Sequence, residues 1–322
     1  MPPAPLRCGE RSLVFGSKTH VMGIINITGD SFSGDGLLGD QDAAVRQGVR
    51  FVDEGAAILD VGGESARADV RSLGDQEEID RVAPVIARLA RECDAVISID
   101  SYKPAVVDAA IQAGARLIND IGGFKLGSQT AEIAARHGVP LVINYTYERP
   151  KIRPSAPPVY ADLIGEHLAF FRDRIATATV LGVQPTQLVL DPGIAFGKSH
   201  DEDLTVLREL HAFTALGLPL LVAASRKHLI GSVLGLPPED RLEGTAAITA
   251  ISIANGADIV RVHDVKAMAR VARMADALVR ATPGDFAPAE DSWPWAANAA
   301  VVPGTTIGAT PASLPAGTSL PR

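Results

Sequence analysis

Residues Val96 to Phe124 read V-I-S-I-D-S-Y-K-P-A-V-V-D-A-A-I-Q-A-G-A-R-L-I-N-D-I-G-G-F, a spacing that few folds accommodate. An apolar, β-rich run ends in Asp100, a helical pattern opens at Pro104 and stops at Gly114, and a second apolar run ends in Asn119 and Asp120. Proline suits the first helical turn, where no N–H is needed, and glycine suits the left-handed residue that ends a helix. The two strands therefore run parallel. Each finishes in a polar side chain at its C-terminal end, where parallel α/β sheets keep their binding sites.

The unit recurs. A glycine followed by a strand-like run appears at Gly55, Gly114, Gly138, Gly217 and Gly256, and Val21–Ile25, Val96–Ile99 and Leu188–Leu190 bring the β-rich runs to about eight. Helical patterns fall between them, at Gln41–Glu54, Asp75–Glu92, Pro104–Ala113, Gln129–His137, Val159–Leu181, Asp201–Leu216, Leu242–Asn255 and Lys266–Arg280. So many alternations predict an α/β fold of one kind, a single (β/α)8 TIM barrel, because open doubly wound sheets commonly use about five or six strands. After Arg280 the chain turns to Pro, Ala, Gly, Ser and Thr. The expected division is an N-terminal extension over 1–18, a barrel domain over 19–282 and a mobile, disordered tail over 283–322 that carries Trp293 and Trp295.

Composition narrows the function. The chain has 322 residues, 47% hydrophobic, enough for a large core. Its apolar runs stop well short of a spanning helix, and the start M-P-P-A-P-L-R-C-G-E-R lacks a secretory apolar stretch, so no membrane partner and a cytoplasmic location are expected. Cys8 and Cys93 are the only cysteines, which argues for unpaired thiols. With a formal charge of −8 and no Lys/Arg cluster interleaved with aromatics, nucleic acid is excluded as an expected partner.

The informative residues sit at the strand ends: Asn26, Asp60 with Glu64, Asp100, Asn119, Asn144 with Tyr145, Asp191, Ser225 with Lys227, and Arg261 with His263. Any one alone reads equally well as a solvated loop residue. In a closed barrel they converge on one face. Asp100, Asn119 and Asp191 offer carboxylate and amide groups without clustered histidines, which suits a flat heterocycle with alternating donors and acceptors; salt bridges inside the barrel are the structural alternative. Arg261 and His263 alternate along the last strand and so face the same way, an arrangement suited to phosphate, with Ser225-Arg226-Lys227 beside it.

These residues carry a resemblance. Seven stretches in order, V-M-G-I-I-N-I-T-G-D-S-F-S (21–33), D-V-G-G-E-S-A-R (60–67), I-D-S-Y-K (99–103), I-N-D-I-G-G (118–123), L-D-P-G-I-A-F-G-K (190–198), V-A-A-S-R-K (222–227) and I-V-R-V-H-D-V (259–265), resemble the dihydropteroate synthases, the pterin-binding barrel enzymes of folate biosynthesis, over about 20–280. The resemblance implies condensation of 6-hydroxymethyl-7,8-dihydropterin diphosphate with p-aminobenzoate to 7,8-dihydropteroate and diphosphate, with Mg2+ as cofactor, no covalent enzyme intermediate, and a homodimer.

Position by position, it implies that Asp100, Asn119, Asp191 and Lys227 hold the pterin ring and that Arg261 and His263 hold the diphosphate. Asn26 would help coordinate Mg2+. Ser225 and Phe196 would line the p-aminobenzoate site, and Phe32, Ala66 and Arg67 lie on the first two βα loops, which close over the substrates. Arg67, Lys227, Arg261 and His263 are the expected catalytic set. The fifth strand end, I-N-Y-T-Y, departs from the family's usual Met-His-Met type and is expected to change the pterin-pocket floor. Alternative readings are a synthase-like paralogue that binds pterin without synthase activity, and a pterin-dependent methyltransferase domain. Against the latter, a methyl donor has no diphosphate for Arg261 and His263 to hold.

Overall fold

Two three-residue strands, β1 (Leu6–Cys8) and β2 (Arg11–Leu13), open the chain as an antiparallel hairpin. The barrel strands follow as β3 (His20–Asn26), β4 (Ile58–Gly62), β5 (Val96–Asp100), β6 (Leu117–Asp120), β7 (Leu141–Asn144), β8 (Leu188–Asp191), β9 (Leu221–Val222) and β10 (Ile259–Val262). All pair in parallel, in the order β8-β7-β6-β5-β4-β3-β10-β9. A parallel bridge from Leu190 to Leu220, with the Leu190 N–H donating to the Pro219 carbonyl at 2.9 Å, joins β8 to β9 and closes the ring. The computed structural model describes residues 1–28, 37, 40–65, 70–152 and 158–281. Phe32, Ala66, Arg67, the tail and its two tryptophans lie outside the described residues.

The helices are α1 (Gln41–Asp53), α2 (Asp75–Glu92), α3 (Pro104–Ala113), α4 (Gln129–His137), α5 (Leu163–Val180), α6 (His200–Arg208), α7 (His228–Leu234), α8 (Leu242–Ala254) and α9 (Val265–Val279). Local chemistry sets their ends. Pro104 occupies the first turn of α3, and Gly114, at φ 123°, ends it. The α5 start falls later than the expected Val159, because the Asp162 side chain accepts the Gly165 N–H at 2.9 Å and caps the helix there. The pattern expected to be one helix over Asp201–Leu216 is instead α6 followed by a 3-10 helix over Leu210–Leu216. Asn255 Nδ2 donates to the Leu207 and Arg208 carbonyls (3.0 and 3.2 Å), taking two acceptors from the last turn of α6. Helix α7, short and set within the loop after β9, is not anticipated by the sequence patterns.

Alternation along the strands sorts the core into two layers. Met22, Ile58, Val96, Leu117, Val142, Val189, Leu221 and Ile259 point to the barrel axis and form an apolar floor, and Leu6, Cys8, Leu13 and Phe15 of the hairpin region pack against it from below. The intervening residues, such as Ile25, Leu59, Ile97, Ile99 and Ile143, face the helices in a separate, larger cluster. Two residues above the floor, the axis-facing positions become polar on six strands, as Asp60, Ser98, Asn119, Asn144, Asp191 and Arg261, while Ile24 and Ala223 stay apolar.

Candidate active site

Above the apolar floor, period two brings Asp60 on β4, Ser98 on β5, Asn119 on β6, Asp191 on β8 and Arg261 on β10 to the barrel interior. Register aligns Ile24, Asp60 and Ser98 across three strands and, one step higher, Asn26, Gly62 and Asp100, with Asn119 opposite Asp100.

Arg261 organises this layer. Its Nε donates to Asp60 Oδ2 at 2.6 Å, and one terminal nitrogen donates to Asp100 Oδ2. Asn119 Nδ2 donates to the same Asp60 oxygen at 2.9 Å. The guanidinium has five N–H donors, so three remain without a protein acceptor among the described residues. Arg261 is embedded among the carboxylates expected to hold the heterocycle.

Burial sets the charges. It pushes Asp100 up to about 7, opposed by Arg261 and reinforced by Asp60. Asp191 is also raised by burial, against the pull of Lys227. Burial brings Lys227 down to about 8, with Asp191 opposing. For Arg261, burial alone would lower the pKa, but Asp60 and Asp100 more than offset it and hold the guanidinium above its ordinary value. The polar layer thus concentrates carboxylates around two buried basic side chains, Arg261 and Lys227.

His263, just past β10, is buried, and its Nδ1 lies 2.9 Å from Ser225 Oγ, which also accepts the His263 backbone N–H at 3.2 Å. Ser225, expected to line the second substrate's site, thus orients His263 with its hydroxyl. Lys227 Nζ donates to the Ile194 carbonyl at 2.6 Å and sits 4.7 Å from the Phe196 ring centroid, so the loop after β8 and the loop after β9 meet at this ammonium. Asp191 Oδ1 accepts the Gly193 N–H at 2.8 Å, which aims one of its oxygens at the same loop.

Other strand-end residues turn away. Glu64 accepts from Tyr102, Lys103 and the Leu73 N–H (2.8, 2.8 and 2.6 Å), outside the polar ring. Asp120 accepts from Thr130 and the Gly122 N–H, both at 2.7 Å, and fixes the turn into α4. Tyr145 stacks on His167 of α5 with centroids 3.5 Å apart and so faces the helices, leaving Asn144 as the inward residue of that altered strand end. Asp60 is the site residue that sequence reasoning undervalues: it appears there as one polar strand residue among many, whereas it is fully buried and anchors both Arg261 and Asn119.

A family model described as pterin binding enzyme matches residues 22–263. The dihydropteroate synthase of Bacillus subtilis is 44% identical over 268 residues, covering 83% of this chain and 91% of that one. Among solved structures, the dihydropteroate synthase of Clostridium difficile in the presence of pteroic acid aligns with TM-score 0.77 and 38% identity, over 84% of this chain and all of that one. The Xanthomonas albilineans dihydropteroate synthase with 4-aminobenzoic acid aligns with TM-score 0.79 and 36% identity, over 87% of this chain and 100% of that one.

Proposed function

The chain belongs to the pterin-binding enzymes of the dihydropteroate synthase family, and from that premise we propose how its own residues carry out the synthase reaction of folate biosynthesis. The C–O bond between the pterin methylene and the diphosphate breaks, the aryl amine nitrogen bonds to that carbon, and the amine loses a proton. The observation that carries this reading is Arg261 held between Asp60 and Asp100 in a ring that also contains Asn119 and Asp191.

Ionisation would leave a delocalised pterin cation and a diphosphate anion, so the site must favour both charges at once. Asp100 and Asp191 accept N–H groups of the heterocycle, and their negative charge grows more favourable as the ring becomes cationic. The remaining donors of Arg261, with His263 beside them, meet the departing diphosphate. Lys227 and the Phe196 ring stand at the junction where the aryl amine approaches. Nothing here calls for a nucleophile on the protein.

Mg2+ prefers oxygen ligands and usually takes only one or two from protein, the rest from phosphate and water. The Asn26 amide, level with Asp100 on the far side of Gly62, fits that donor chemistry. No group of three or more His, Cys, Asp or Glu that could hold a metal ion occurs among the described residues. Asn26 would hold the ion, which supplies positive charge to the leaving group.

We also propose a homodimer built on the outer face of α8. Ala247, Ile251 and Ala254 are exposed there, and Met274 and Leu278 of the adjoining α9 add apolar surface. Light scattering on the wild type and on Ile251→Glu tests it, with dimer and monomer expected respectively. No helix among the described residues is long and apolar enough to cross a membrane, and a cytoplasmic setting fits the reading.

The deciding assay is diphosphate release from the pterin ester with p-aminobenzoate and Mg2+. Release that requires the amine is expected. Release without it would indicate a hydrolase, and none at all would favour the inactive-paralogue reading.

A further inference from the structure

Behind the loop that follows β8 lies a buried cation to which the reaction assigns no role. The Lys198 side chain is 0% exposed and that of Asp203, on α6, is 1% exposed. Lys198 Nζ donates to the Gly193 and Pro192 carbonyls at 2.5 and 3.2 Å, stands 3.7 Å from Asp203 Oδ1, and lies 4.9 Å from the centroid of the Tyr145 ring. Asp203 Oδ2 accepts the Ala195 N–H at 2.9 Å. The two charges therefore grip the residues on either side of Ile194, Lys198 through Gly193 and Asp203 through Ala195.

The turn they grip is one the chain would not hold unaided. Ala195 sits at φ 66°, a left-handed conformation that a residue with a Cβ disfavours. Gly193 sits at φ 68°, and a Cβ there would lie 1.9 Å from the Tyr145 carbonyl oxygen. An apolar side chain as long as lysine could fill the same space without the cost of burying an ammonium. It could not donate to the Pro192 carbonyl or to the Gly193 carbonyl, which also accepts the Phe196 N–H at 3.0 Å. The directional bonds, then, are what the lysine contributes.

The turn connects directly to the pocket. The Ile194 carbonyl is the acceptor that holds Lys227 Nζ at 2.6 Å, and Phe196, two residues on, places its ring beside the same ammonium. We infer that Lys198 and Asp203 form a positioning pair that fixes the Ile194 carbonyl and, through it, aims Lys227 at the junction of the two substrates. Neither residue touches substrate. The inference deepens the synthase reading and rests on it for the role of Lys227.

A double-mutant cycle in the full-length protein tests it. Lys198→Met lowers kcat/KM by about 10- to 100-fold in the wild-type background, but by less than about threefold when Lys227→Met is already present, because the group it acts through is gone. Asp203→Asn keeps an oxygen for the Ala195 N–H and removes only the countercharge; it gives a smaller loss with the same non-additivity, and serves where Lys198→Met folds poorly. The affinity for the pterin diphosphate, measured by calorimetry, follows the same pattern and does not depend on turnover. Equal losses in both backgrounds, or wild-type behaviour of both variants, overturn the inference. Failure of the synthase reading looks different: the wild type then releases no diphosphate and Lys227→Met changes nothing.

Discussion

Asp60 and Arg261 meet inside the barrel, carboxylate to guanidinium at 2.6 Å, from strands that flank β3 on opposite sides and lie 201 residues apart in the chain. The contact ties the guanidinium to the layer of Asp100 and Asn119, so in the proposed reaction one residue joins the heterocycle's acceptors to the leaving group. Asn119 shares the same Asp60 oxygen. Two of the polar groups are thus set by a single fully buried carboxylate.

That dependence gives the first prediction. Asp60→Ala breaks a buried ion pair and removes the acceptor of Asn119, a loss that typically costs about 3–5 kcal/mol of stability. Chemical denaturation of the variant should show a lower midpoint with an unchanged slope. A midpoint equal to that of the wild type would mean that Arg261 is held by Asp100 alone.

The raised Asp100 carboxyl gives the second, a dependence on pH. Its pKa in the fold, about 7, lies above the ordinary value of 3.8, so the folded state binds the extra proton between those limits, and stability contributed by this group falls as pH rises from 3.8 to 7. Binding runs the other way. Pterin N–H donors need the carboxylate, so affinity rises with pH up to about 7 and then levels. Lys227, brought down to about 8, loses its charge above that pH, which closes the upper side of the profile. A bell-shaped kcat/KM with limbs near these values is expected. Asp100→Asn should abolish the acid limb of pterin affinity, measured by calorimetry, along with most of the affinity itself; an unchanged limb would assign it to another group.

The third prediction concerns the barrel floor. Leu6 is 0% exposed, and the hairpin that carries it shares one core cluster with axis-facing residues of all eight barrel strands. Leu6→Ala should cost about 2–5 kcal/mol, and Phe15→Ala about 3–5 kcal/mol, by leaving a cavity under the floor. Thermal unfolding measures both. Because the floor lies below the polar layer, kcat/KM at a temperature where the variants remain folded should be close to that of the wild type.

The barrel and most of the pocket are legible in the sequence because each strand ends where an apolar run turns polar, and period two then fixes which residues face inward. Asp100, Asn119, Asp191 and Arg261 are found in this way. What is not legible depends on partners far along the chain. Nothing local to β4 or β10 reports that Asp60 and Arg261 pair. Lys198 closes the run L-D-P-G-I-A-F-G-K, and its burial is set by α6 and by Tyr145, neither of which its neighbours announce. The hairpin is missed for another reason, since three-residue strands are too short to show a period.

The last prediction separates the two cations at the end of the barrel. From sequence, Arg261 and His263 are equivalent phosphate ligands, and removing either should weaken the diphosphate ester while sparing the free hydroxymethyl pterin. The geometry makes them unequal. Without Arg261, Asp100 loses the cation that opposes its burial, and burial with the Asp60 charge beside it then favours its protonation, which removes an acceptor proposed for the heterocycle. Arg261→Ala should therefore weaken both ligands. His263 meets the Ser225 hydroxyl through both its Nδ1 and its backbone N–H, and its removal leaves Arg261 in place between Asp60 and Asp100, so His263→Ala should weaken the ester alone, by about 10- to 150-fold if one charge-assisted hydrogen bond worth about 1.5–3 kcal/mol is lost. Calorimetric titration of both variants with both ligands decides the matter. If Arg261→Ala left the free pterin's affinity intact, the carboxylates would not depend on it, and the coupling of pterin pocket to leaving-group site through one guanidinium would have to be abandoned.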